Sequence, residues 1–261
     1  MTIAEFATEF ETVRSPLKSY LLRITASIED AEDIIQDTFI KASEKLNTFR
    51  GESSLKTWLF TISSNMAKDN LRAQKRWPEN VTDICKTEAL ASPDYFHSMT
   101  QIQQSSPQGK FELRENIMFC FTCVAKSLPL EQQICVLLKE VYDFKVSEIS
   151  IIMDTTEAMV KYYLHMGRGK LVKVFDNRCA LINKQGACNQ CSELNGLFNP
   201  QQNFEVEKNK IEMARVAERG DKEHLLDLRL RIMSEINPFD SPGSQLQLFH
   251  LQFNKKVMEK K

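Results

Sequence analysis

Glycine and proline are scarce in this chain, with eight of each among 261 residues. So few breakers, set among plentiful Leu, Ile, Glu, Lys and Gln, favour an all-α fold. Long apolar runs are missing as well. The longest, Ile117 to Ala125, falls well short of the roughly 18 residues needed to span a bilayer. The first residues lack a charged-then-apolar leader, so the expectation is a cytoplasmic protein with no membrane insertion. Excess charge of either sign is absent: 34 Lys and Arg stand against 35 Asp and Glu. That balance excludes a globally basic nucleic-acid binder and leaves DNA contact to local basic patches. The four His are scattered, and neither a Gly-rich phosphate loop nor a nucleophile motif occurs. No enzyme is expected. Seven Cys is an odd number with no small disulfide scaffold around it, which fits reduced thiols.

What is present centres on residues 29–77, EDAEDIIQDTFIKASEKLNTFRGESSLKTWLFTISSNMAKDNLRAQKRW. Ile34, Ile35, Phe39, Ala42 and Leu46 make one apolar stripe at helical spacing, and Glu29, Asp30, Glu32 and Asp33 crowd the first turn. Asn47 to Ser54 break the pattern. A second helix follows from Lys56 through Trp58, Leu59, Ile62, Met66 and Leu71, with Lys56, Lys68, Arg72, Lys75 and Arg76 against Asp69 alone. An acidic face joined by a loop to a basic, aromatic face suits two partners of opposite charge. The plainer reading is a helical hairpin whose charges keep it soluble.

Upstream, Ile3, Phe6, Phe10 and Val13 share a helical face, and Ser15-Pro16 reads as the cap and first turn of another helix carrying Leu17, Leu21 and Ile24. Ser27, three residues before Asp30, is a candidate cap for the acidic helix. Residues 1–77 thus form a small helical domain. Residues 78–110 hold Pro78, Pro93, Pro107 and Gly109 without a sustained apolar period and read as a flexible linker. Residues 111–178 form a second helical domain: a helix Phe111 to Ser127, a helix Glu131 to Val141, then Val146 to Met153, a break at Asp154-Thr155-Thr156, and a basic helix from Glu157 to about Phe175. The last three elements make a helix-turn-helix pattern.

DAEDIIQDTFIKA followed by FRGESSLKTWLFTISSNMAKDNLRAQKR resembles the promoter-melting region of extracytoplasmic-function (ECF) sigma factors, specificity subunits of bacterial RNA polymerase. LPLEQQICVLLKEVYDFKVSEISIIMDTTEAMVKYYLHMGRGKL resembles the promoter-binding C-terminal domain of the same sigma-70 family. The resemblance implies an alternative sigma factor that binds core RNA polymerase and promoter DNA and promotes melting. It implies a docking face for polymerase at Asp33, Ile34, Gln36, Asp37 and Lys41, with core packing the plainer role for Ile34 and Phe39. The −10 element would be taken by the loop Asn47–Leu55 and by Lys56, Trp58, Asn65, Lys68, Arg72, Lys75 and Arg76. Asn65 matches a base-pocket position of the family and lies two helical turns from Trp58, on the same face; Trp58 reads equally as a core residue. The −35 element would fall to Lys161, Tyr162, His165 and Arg168. Departures are Thr61, where Arg is frequent, Lys145 in place of a capping Ser, and Ala158, Met159, Tyr162 and Tyr163 in the recognition helix. Base preference does not carry over.

Residues 179–261 lie beyond the resemblance. Cys179, Cys188 and Cys191 form a C-x8-C-x2-C arrangement that offers three thiolates to a soft metal, zinc by default. No cofactor is required by the family. A fourth ligand does not follow at finger spacing; His165 or a distant thiol could serve, and buried or free cysteines are the plainer reading. Cys120, Cys123 and Cys135 read as core. Stripes through Leu225, Leu228, Ile232 and Ile236 and through Leu246, Phe249, Phe253 and Val257 form a helical extension that needs a surface to lie on. It could regulate the factor in place of a separate anti-sigma protein. Two competing readings are a stand-alone helix-turn-helix regulator and a thiol-based redox or metal-sensing protein.

Overall fold

The computed structural model describes residues 1–72, 74–105, 112–193, 202–241 and 243–261. Among them every regular element is helical, and the only β pairing is an isolated bridge between Cys179 and Cys188. In chain order the helices are α1 Ile3–Thr25, α2 Ile28–Glu44, α3 Leu55–Arg72, α4 Val81–Leu90, α5 Pro93–Ser105, α6 Leu113–Ala125, α7 Leu130–Glu140, α8 Val146–Met153 and α9 Glu157–Arg178. They continue with α10 Phe204–Lys210, α11 Glu212–Arg215, α12 Lys222–Glu235 and α13 Ser244–Glu259. None of these is long and apolar enough to cross a membrane.

Contacts divide the chain into two units whose limits differ from the boundaries expected at 78–110 and 178. The first comprises Met1–Arg76 with Leu128–Gly167, the second Trp77–Ser127 with Arg168–Lys261. The continuous helix α9 belongs to the first unit up to Gly167 and to the second from Arg168.

In the first unit, α1 runs straight through Pro16, so Ser15-Pro16 starts no new helix. Proline there forfeits one backbone hydrogen bond, but Phe6, Phe10, Leu17, Leu21 and Ile24 bury a single stripe on both sides of it. Ser27 caps α2 as expected, its Oγ accepting from the Asp30 amide at 3.1 Å. The elements α7 and α8 pack on this bundle through a buried polar knot. Arg23, 2% exposed, donates to Tyr142 Oη at 2.8 Å, and that hydroxyl donates to Ser19 Oγ at 3.0 Å. Gln133 Nε2 donates to the Arg23 carbonyl at 3.0 Å. Phe60 and Phe144 meet with ring centroids 4.8 Å apart. The helix-turn-helix closes where the sequence breaks: Asp154 turns in the left-handed region at φ 51°, which a short polar side chain tolerates, and Thr156 Oγ1 accepts from the Met159 amide.

The second unit is built on α6. Residues 78–105 are not extended here; they form α4 and α5, which bury Val81, Cys85 and Ala89, and Tyr95 and Met99. Those small or ambivalent side chains make a weak stripe, and α13 completes it with Leu246, Leu251 and Val257. The linker positions 106–110, and Phe111, lie outside the described residues. The extension does find its surface: Leu225, Leu228 and Ile232 of α12 are buried in one cluster with Leu113 and Ile117 of α6.

Candidate nucleic-acid interface

The acidic helix α2 presents Asp33, Gln36, Asp37 and Lys41 to solvent. Ile34 is 5% exposed and packs inward, whereas Ile40, six residues on, is 54% exposed. Phe39 is half-buried and packs against Phe6 and Phe10, at 5.6 and 5.0 Å between centroids. Beside this face a groove of about 340 Å³ runs between α1 and α2, lined by Phe10, Arg14, Gln36, Phe39 and Ile40 among others.

The loop between α2 and α3 encloses an open pocket of about 460 Å³, lined by Asn47 to Ser53 and Trp58. Gly51 makes the bend possible, with φ at +73° in the region where a Cβ is disfavoured. Trp58 is half-buried and lies 5.1 Å from Phe49, so an aromatic pair forms the pocket wall. Phe49 lies within the loop Asn47–Leu55 expected to take the −10 element, where it was not singled out; its signal is an aromatic in an otherwise polar loop. Asn65 is exposed on α3.

The cations of α3 do not form one uniform stripe. Arg76 is drawn inward, donating from Nε to the Leu128 carbonyl at 2.9 Å and from Nη2 to Gln133. Burial pulls its pKa down to about 10. It ties the segment after α3 to Leu128 and to Gln133 of α7, a structural role in place of the phosphate contact expected of it. Lys56 lies 4.5 Å over the Phe144 ring and donates to the Tyr142 carbonyl at 3.3 Å. Thr57 Oγ1 donates to Glu148 at 3.3 Å. Lys68 is half-buried, and desolvation lowers its pKa. Arg72 is exposed and paired with Asp69 at 3.0 Å, and Lys75 is exposed.

On α9, Lys161, Tyr162 and His165 are exposed. Gly167 lets this helix approach α7, since a Cβ there would meet Val136 Cγ2 at 2.9 Å. Arg168 is different: its Nη2 lies 2.6 Å from Asp227 and 3.2 Å from Glu223, both on α12. Lys170 pairs with Glu79 at 3.2 Å.

The cysteines of the extension gather around a cavity of about 30 Å³. Cys179, Cys188 and Cys191 line it, and so does Cys120 of α6, which the sequence had suggested was core. Its signal was Asn116, one turn earlier on the same face of an otherwise apolar helix. Burial raises the pKa of Cys120 and Cys188 and pushes that of Cys191 up to about 12. The thiols ring the cavity without converging on one point: among the described residues no three His, Cys, Asp or Glu side chains already form a metal-holding group. His165 lies in the first unit and does not line this cavity.

Among the described residues the first unit thus holds an acidic helix, a polar loop with an aromatic wall, a cationic helix and a helix-turn-helix. The sigma-70 region 2 family matches residues 10–76, and the sigma-70 region 4 family matches residues 118–171. The ECF RNA polymerase sigma-E factors of Salmonella typhimurium and Escherichia coli are each 32% identical over 139 residues, which cover 53% of this chain and 70% of theirs. The ECF RNA polymerase sigma factor SigG of Mycobacterium tuberculosis is 25% identical over 180 residues, 65% of this chain, and the match spans about half (48%) of SigG. The sigma factor RpoE from Bartonella quintana, solved in complex with the anti-sigma factor NepR, superimposes with a TM-score of 0.46 at 20% identity, over 66% of this chain and 96% of RpoE. The chain belongs to the ECF sigma factor family.

Proposed function

We propose that this chain is an alternative sigma factor that docks on core RNA polymerase, takes up the −10 and −35 promoter elements and promotes strand separation. It has no catalytic step of its own, and it acts in the bacterial cytoplasm, where polymerase and DNA meet. The observation that carries the reading is the loop pocket. Holding an unpaired base needs room, hydrogen-bonding groups and a stacking surface, and residues 47–53 with Phe49 and Trp58 supply all three, with the exposed Asn65 two helical turns further along α3. Lys68, Arg72 and Lys75 then serve the phosphates, which makes binding salt-dependent. Asp33, Gln36, Asp37 and Lys41 form the polar part of the polymerase-docking face, with Ile40 and the neighbouring groove as its apolar part. Lys161, Tyr162 and His165 address the −35 element from the exposed face of α9.

The extension regulates the factor from within the chain. The support is that Glu223 and Asp227 stand on Arg168, where a DNA phosphate or base edge would otherwise bind. Run-off transcription with core polymerase and a promoter library tests the whole reading. A defined −10/−35 pair is expected among the active templates; failure to join core polymerase or to initiate on any template overturns it.

A further inference from the structure

Arg229 of α12 is 2% exposed, and among the described residues no carboxylate pairs with it. A guanidinium stays charged at any ordinary pH, and burying it without an opposing charge costs several kcal/mol. Its Nη2 donates to Cys179 Sγ at 3.3 Å, its plane lies 3.9 Å over the Phe175 ring, and it lines the same cavity as Cys120, Cys188 and Cys191. On the far side Asn116 Nδ2 donates to Cys191 Sγ at 3.1 Å. Neutral thiols would leave the Arg229 charge unanswered, and so would a disulfide.

We propose that Cys120, Cys179, Cys188 and Cys191 bind one thiophilic divalent ion, zinc foremost, as a closed structural centre, with Arg229 and Asn116 as its supporting donors. Binding replaces four S–H bonds by four metal–sulfur bonds and releases four protons to solvent. The product, one M²⁺ with four thiolates, carries a net charge of −2, and Arg229 offsets part of it. N–H donors aimed at ligand sulfurs are the outer partners such centres use. Binding therefore requires the four thiols, which line the cavity without already forming a metal-holding group, to turn toward one point.

The backbone already favours this. The Cys179 and Cys188 segments are paired, the Ala180 amide donating to the Cys188 carbonyl at 3.1 Å and the Cys188 amide to the Arg178 carbonyl at 2.8 Å. Gly186 lets the intervening turn fold back, because a Cβ there would stand 2.7 Å from the Cys179 carbonyl carbon. The centre would fasten α6, the end of α9 and α12 together. Since α12 also carries Glu223 and Asp227, the ion would hold in place the acids that cover Arg168.

The test uses the full chain, purified anaerobically, with elemental analysis and X-ray absorption on the wild type. One zinc per chain with a four-sulfur shell is expected. Cobalt(II) exchanged into the protein should give the bands of a tetrahedral four-thiolate site. Cys120→Ser should shift those bands and weaken cobalt binding about 10-fold or more, while Cys135→Ser, at a thiol in the first unit, leaves them unchanged. A three-sulfur shell, a cobalt spectrum indifferent to Cys120→Ser, a Cys179–Cys188 disulfide, or a chain without stoichiometric metal overturns the proposal. The wild-type sulfur count decides the matter even if the Cys120 variant does not fold.

Discussion

Arg168 Nη2 lies 2.6 Å from Asp227 Oδ1, so a cation on the second helix of the helix-turn-helix is answered by an acid of the C-terminal extension. Glu223 adds a second carboxylate at 3.2 Å. Both acids are largely exposed, so each pair contributes little to folding, about 0–1 kcal/mol. If Arg168 contacts DNA as proposed, phosphates must displace them, so their effect on DNA binding is expected to be larger. The double variant Glu223→Gln, Asp227→Asn should therefore fold normally and bind promoter duplex several-fold more tightly at low salt. That advantage should shrink as salt rises, because screening weakens both competitors. Fluorescence anisotropy across a salt series checks this, and equal affinities at every salt would remove the regulatory role of the pair.

The loop pocket gives a cleaner prediction through Gly51. Its φ of +73° disfavours a side chain, yet a Cβ there would touch nothing within 4 Å. Gly51→Val therefore acts through backbone strain alone, of about 1–2 kcal/mol. Core-polymerase binding should be unchanged while open-complex formation falls, as read by permanganate reactivity of unpaired thymines. Trp58→Ala should lose stacking of about 1–3 kcal/mol per base and show the same pattern more strongly. If either variant opened promoters as the wild type does, the pocket would not be the base-binding site.

Strong local chemistry made part of this legible beforehand. The turn at Asp154-Thr155-Thr156 and the Ser27 cap fall where polar backbone partners were expected, and the loop between α2 and α3 falls where the helical pattern breaks. What escaped depends on distant chain. Pro16 sits within a helix because burial on both sides outweighs one lost hydrogen bond. The helices α4 and α5 have thin stripes that only α13, some 150 residues later, turns into a core (Tyr95 and His250 are 155 apart). Arg76 reads as a phosphate contact until Leu128 and Gln133 are seen to hold it. Cys120 looks apolar in sequence because its companions, Cys179, Cys188 and Cys191, arrive 59 or more residues later.

Tyr142 joins α7 and α8 to the bundle of α1–α3 by a hydroxyl that accepts from Arg23 and donates to Ser19. Tyr142→Phe keeps the ring contacts with Tyr20 and Phe60 but leaves a buried guanidinium with one acceptor fewer. The loss of a buried hydrogen bond to a charged group should cost about 2 kcal/mol in urea unfolding. Phe144→Leu at the same surface should cost less, since it trades one apolar group for another. A Tyr142→Phe chain as stable as the wild type would show that the ring contacts alone hold these helices together.

His250 of α13 is buried beside Tyr95, with Oη and Nδ1 2.7 Å apart. Burial opposes its charge and lowers its pKa from 6.5 to about 4. Between those values the unfolded chain binds a proton that the folded chain refuses, so stability falls as pH drops from 6.5 to about 4 and levels off below. The part lost between pH 7 and pH 5 is on the order of 2 kcal/mol. His250→Phe removes the titrating group and should flatten this slope, whatever it does to stability at pH 7. Paired urea titrations at the two pH values isolate the effect, because the cost of the substitution itself cancels in the difference. Parallel pH slopes for the two proteins would mean that His250 takes up its proton in the folded chain as readily as in the unfolded one.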